Sequence, residues 1–274
     1  MQIKEILDLV SDELRDGKST KYSRSSLLVK LKEGLTQFVQ DSKILKKTVY
    51  IPAIHQQAIY DLPIFGKALT TIDSEEAIVS GNTTATTTLP TYLSLIRASW
   101  RDKLRTGVNR VMRSDSTFER DEAGIAKYQE GPPLYTYNDE LSFYQFGIWP
   151  VPTDGSGSTA NIIDADGSGG TDKDRRIQLD YVRDVLYYSN ATNTTLITDL
   201  STLTEDHFLD NGIPLQFQRK LYLLICFLRL KNSIDPTDVQ KAANYKQLYE
   251  TELLEEALRS GSHMERYSQL KVQS

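Results

Sequence analysis

The sequence predicts an α+β protein: a helical bundle made by an N-terminal hairpin and the C-terminal helices, with a β-rich central insert forming a small antiparallel sheet or sandwich. Three observations predict it. Apolar residues recur at helical spacing in the first 45 residues and again after residue 200. Between these stretches the period shortens to that of strands, punctuated by Pro, Gly and Thr. Two aromatic-rich stretches, 141–152 (LSFYQFGIWPVP) and 175–188 (RRIQLDYVRDVLYY), flank a Gly/Ser/Asp loop and read as a strand pair. The implied organisation is a helical core from 1–45 and 200–258, a β-rich insert from 46–199, and a flexible polar C-terminal tail at 259–274.

Ile3, Ile6, Leu7, Val10 and Leu14 lie on one face of a helix over 2–16, closed by Gly17. Ser25 is a cap for a second helix with the stripe Leu28, Leu31, Leu35, Phe38 and Val39, and the short link implies an antiparallel hairpin. From Lys46 the pattern is β-like: 48–51 and 57–62 each run into Pro, and the intervening HQQ could turn. The Thr-rich 66–91 stretch lacks apolar alternation and reads as an exposed loop or edge hairpin. Leu93–Trp100 is a strand, with 103–106 as its exit, and the charged 107–130 region could hold a short helix around Asp115–Lys127. Strands at 134–137, 142–150 and 177–188 follow, the last two joined by the 153–174 loop. Residues 200–213 show a capping pattern at Thr204 before an apolar helix from Pro214 to Lys231, hydrophobic nearly all round and therefore central. Asp235-Pro236-Thr237-Asp238 starts the final helix, running to about Leu258 with Val239, Ala242, Ala243, Tyr249, Leu253, Leu254 and Ala257 inward.

The 274 residues suffice for a large core, and the 39% hydrophobic and 25% charged composition is that of a globular protein. The 15 Tyr outnumber the 8 Phe and 2 Trp combined, which suits half-buried interfaces or strand positions equally. A net charge of −5 argues against general nucleic-acid binding, which needs a dense basic face. The single cysteine, Cys226, sits in the apolar run LYLLICFL and reads as a buried structural thiol. That run is too short to span a bilayer, the start has no signal-peptide pattern, and synthesis in a reducing cytosol is expected.

Chemistry-bearing constellations are scarce. His55, His207 and His263 have no partners at metal-ligand spacing. Asp164-Ala165-Asp166-Gly167-Ser168-Gly169 resembles the start of a calcium loop, but Arg175 stands where the twelfth-position Glu is required, so a hairpin tip is expected. The paired acids Glu75-Glu76, Asp121-Glu122 and Glu255-Glu256 read as solvated surface. Arg97, Arg101, Lys103, Arg105, Arg110 and Arg113 form the densest basic group, able to face nucleic acid or to rim a partner contact. No catalytic, cofactor-binding or metal residue is nominated, and no enzymatic role is expected.

The order of elements and several stretches resemble the head-to-tail adaptor (connector) proteins of tailed bacteriophages, particularly the podovirus-type adaptors beneath the portal ring. These stretches are IKEILDLVSDELRDG with YSRSSLLVKLKEGLTQFVQD, LSLIRASWRDK, FGIWPVPTDG followed by RIQLDYVRDVLYYSNATNTTLITDLS, then LSTLTEDHFL, IPLQFQRKLYLLICFLRLKN and VQKAANYKQLYETELLEEALR. The resemblance implies a non-catalytic virion structural protein at the neck, made in the host cytoplasm. It implies docking as a ring of twelve on the portal protein, contact with tail or nozzle proteins, and a channel passing double-stranded DNA without sequence-specific binding. No membrane contact is implied. An acidic chain suits such a conduit, because a basic lining would retain the genome. The alternatives are a tail-completion or gatekeeper neck protein, a peptidoglycan hydrolase carried in the virion, and a host or plasmid interaction module.

Overall fold

The computed structural model describes residues 1–15, 21–54, 56–72, 83–102, 110–111, 113–114, 135–137, 141–152 and 175–259. Gly17, the helix expected around Asp115–Lys127 and the 153–174 loop lie outside them. The protein is α+β, with helices at both ends and mostly antiparallel strands between. It divides into two compact units: Met1–Leu45 with Asp184–Ser274, and Lys46–Arg183. Residues 184–199, grouped by their sequence pattern with the insert, thus belong with the helices.

In the helical unit, α1 (Ile3–Glu13) buries Ile3, Ile6, Leu7 and Val10, as their spacing predicts. Its first turn is held by a capping box between Gln2 and Glu5. Helix α2 (Arg24–Ser42) is capped by Ser23, whose Oγ accepts the Ser26 N–H, rather than by Ser25. Its buried stripe is Leu27, Leu31, Gly34, Leu35, Phe38 and Val39, with Leu27 in the place expected for Leu28. The reason is Gly34. A Cβ there would lie 3.3 Å from Ile225 Cγ1 and 3.4 Å from Leu228 Cδ1, so the seam with the third helix is centred on Gly34. Leu27 is two turns before it on the same face.

That third helix, α3 (Gln218–Leu230), packs against α1, α2 and the last helix, and is central as expected. Leu221, Leu223, Leu224, Ile225, Cys226 and Leu228 are all buried. The last helix, α4 (Pro236–Arg259), starts where predicted, with Asp235 Oδ1 accepting the Thr237 N–H at 2.8 Å. Its inward side differs from expectation: Ala242 and Tyr249 are buried, whereas Val239 and Ala243 are exposed.

Thr204 does not cap a helix. Its N–H is taken by His207 Nδ1 at 2.8 Å, closing a turn that leads into a short strand, and the apolar helix begins only after Pro214. The first residues of the chain join that strand, since Leu209 N–H donates to the Met1 carbonyl at 2.9 Å.

In the second unit, the described strands form two sheets. The larger runs β4 (Thr83–Thr86), β3 (Leu69–Ile72), β1 (Lys46–Pro52), β10 (Arg175–Arg183), β5 (Tyr92–Asp102) and β6 (Arg110–Val111). The smaller runs β2 (Ile59–Asp61), β9 (Gln145–Trp149), β8 (Tyr135–Tyr137) and β7 (Arg113–Ser114). Val49, Ile51, Ala98, Trp100, Ile177, Leu179 and Tyr181 of the first share one core with Tyr60, Phe146 and Ile148 of the second. The insert is therefore a sandwich.

Two expected pairings are corrected by this topology. The strands on either side of HQQ do not form a hairpin: β1 pairs with β10 and β3, β2 with β9. The aromatic strands β9 and β10 likewise lie in different sheets and meet through their side chains in the core. Both strands have apolar inner faces, and a shared core satisfies that pattern as well as direct pairing does. The Thr-rich stretch does form an edge hairpin, β3 with β4.

Candidate functional site

Most of the sequence-nominated chemistry stays apart or falls outside the described residues. His55, His263, Asp164–Gly169, Glu75-Glu76 and Asp121-Glu122 are outside them. Glu255 is exposed, and His207 is occupied as a turn acceptor. Cys226 is fully buried, and that burial pushes its thiol pKa up, so it is structural. Among the described residues no three His, Cys, Asp or Glu side chains gather to hold a metal ion. No described helix is long and apolar enough to cross a membrane.

Of the basic group, Arg97 is the member whose side chain is described. It belongs to a groove on the face of the large sheet opposite the core. Thr48, Asp180 and Arg97 stand in direct register across β1, β10 and β5. Asp180 accepts from Thr48 Oγ1 at 2.7 Å, from Gln178 Nε2 at 3.0 Å, and from Arg97 Nε and Nη2 at 2.9 and 2.7 Å. Burial works against its charge, but these donors outweigh it and hold the carboxyl below the usual range.

The groove is completed by Lys46, which shares the face of Thr48, by the edge of Lys47, whose register opposite Tyr181 turns its side chain toward the other face, and by Ile96. Ile96 is present because of a β-bulge: Asp180 pairs with Arg97 and Tyr181 with Leu95, leaving Ile96 as the extra residue. The bulge leaves two successive side chains, Ile96 and Arg97, exposed where a regular strand would turn one inward. Sequence reasoning missed Lys46, Lys47 and Ile96 because a bulge has no local signature here.

A pH dependence follows from Asp180. Its depressed pKa contributes stability that is present above the ordinary carboxylate range and lost as pH falls through the folded value. Asp180→Asn is expected to reduce the fall in urea stability of the second unit between about pH 5 and pH 2. An unchanged acid limb would show that the network is not coupled to folding.

The helical unit presents the opposite charge. Asp12 and Glu13 close α1 and Asp41 closes α2, and neither helix has a basic residue in its last turn. From positions one turn apart on α4, Tyr245 Oη donates to Glu13 at 3.1 Å and Tyr249 Oη to Asp41 at 2.9 Å. Burial, with Glu250 nearby, pushes the Asp41 carboxyl above its usual range despite the Tyr249 and Gln37 hydrogen bonds. Acids at helix C-termini oppose the helix dipole. The tyrosines thus serve packing and this polar seam.

A family model described as SU10 adaptor protein matches residues 1–272, so the chain belongs to that family. No curated protein matches the chain.

Proposed function

We propose that this adaptor-family chain is a structural protein of a tailed-phage neck that docks as a ring on the portal protein and extends the DNA channel toward the tail proteins. The observation that carries the reading is the family match across residues 1–272, which takes in both units rather than one. The architecture supports it, because a helical unit built from both chain ends and bearing a β sandwich offers two distinct surfaces for neighbours. The charge supports it too: at −5 the chain has no surplus of cations with which to hold passing duplex. No catalytic step is part of the reading.

The test is mass. The purified chain alone and mixed with portal rings of the same virus is weighed by light scattering. A multi-copy complex that forms with the portal is expected, and a chain that remains monomeric beside portal rings overturns the reading.

A further inference from the structure

We propose that the groove of Lys46, Lys47, Ile96 and Arg97 receives the acidic corner of a neighbouring copy of this chain, formed by Asp12, Glu13 and Asp41, so that copies join side by side. The inference rests on the ring reading above and names the contact that closes it.

A ring of identical chains needs two different surfaces per copy that fit each other, one for each neighbour. The two places just described differ in unit, in charge and in shape. In the groove, the Asp180 charge is already met by Arg97 at 2.7 Å. Lys46, on the same face of β1 as Thr48, is exposed and makes no ion pair among the described residues, so on those residues the groove carries a surplus of positive charge. Ile96, 40% exposed, gives it an apolar member beside the charged Lys46 and Arg97. The bulge that turns Ile96 outward leaves a large aliphatic group facing water, and a partner would cover it.

The corner is the complement. Its carboxylates stand at the negative ends of two helices and Glu250 adds like charge beside Asp41, while Arg15 and the C-cap Lys43, just past those ends, offset part of it. Cations from another chain would add to that offset of the helix dipoles. Leu9, 38% exposed and one turn before Asp12 and Glu13, is an apolar neighbour on α1 for Ile96. Duplex DNA is the alternative occupant, and the test below separates the two by whether the groove retains it.

The experiment uses the full chain with portal rings. Lys46→Glu together with Lys47→Glu is expected to raise the concentration needed for multi-copy assembly by about tenfold or more, with an unchanged melting temperature. Separately, Lys46→Cys with Asp12→Cys in one chain is expected to give a ladder of covalent multimers with a short bismaleimide, on portal rings only. Cys226 does not interfere, being fully buried. Wild-type chain that ignores portal rings defeats the ring reading itself. Wild-type rings with no ladder, and with the double glutamate variant assembling at the wild-type concentration, overturn the groove contact alone. Duplex DNA retained by the wild type and released by the double variant would also overturn it, making the groove a phosphate site.

Discussion

Gly147→Ala is expected to destabilise the β sandwich by about 2–3 kcal/mol, and Gly147→Val by more. Gly147 lies in β9 between two buried core residues, Phe146 and Ile148, and so faces the other side of the sheet. There it stands in direct register with Tyr137 of β8. A Cβ at Gly147 would fall on the Tyr137 ring atoms, far inside van der Waals contact. Either the ring rotates off the strand and uncovers it, or the two strands separate and lose their ladder. The protein contains 2 Trp, Trp100 and Trp149, and both lie in this unit, so urea unfolding followed by tryptophan fluorescence reports it directly. Tyr137→Ala added to Gly147→Ala is expected to recover part of the loss, because the clash has then been removed. If Gly147→Ala unfolds at the wild-type midpoint, the ring does not cover the strand.

This glycine illustrates what the sequence conveyed and what it withheld. The helices were legible because each buries one stripe: Ile3, Ile6, Leu7 and Val10 need only a 3.6-residue period to be recognised. The all-round apolar run 221–228 announced a central helix, and Asp235-Pro236 announced a start. Thr204 misled because its surroundings look like a cap. The competing acceptor was His207 Nδ1, three residues on, which local pattern does not weigh.

The strands were legible as strands but not as neighbours. Phe146, Ile148, Ile177 and Leu179 declare an apolar inner face, and period alone does not say whether two such faces share a ladder or face each other across a core. Partner choice was set by contacts distant in sequence, such as Val49 opposite Leu179. The groove was the least legible part. It needs Lys46 and Lys47 beside Arg97, 50 or more positions away, and it needs one extra residue in β5. The family resemblance, by contrast, was carried by the order of elements, which survives such local errors.

Replacing residues 46–183 by a short Gly/Ser linker is expected to leave a folded helical protein. The geometry at the junction permits it. Lys46 and Val182 are direct partners in an antiparallel ladder, so the chain leaves and re-enters the helical unit at neighbouring points. A flexible linker of about six residues spans such a gap. The helical core is also self-contained in composition: α3 is surrounded by α1, α2 and α4, and Phe38 packs on Phe217 with ring centroids 5.6 Å apart. A cooperative thermal transition with a helical circular dichroism spectrum is the expected result, and a chain without either would mean that the helices depend on the sandwich. The shortened chain keeps Asp12, Glu13 and Asp41 but loses Lys46, Lys47, Ile96 and Arg97. If the groove joins neighbouring copies, this chain can engage one neighbour and not the next. Added to wild-type protein and portal rings, it is then expected to lower the yield of complete assemblies, whereas a helical unit irrelevant to side-by-side contact would leave that yield unchanged.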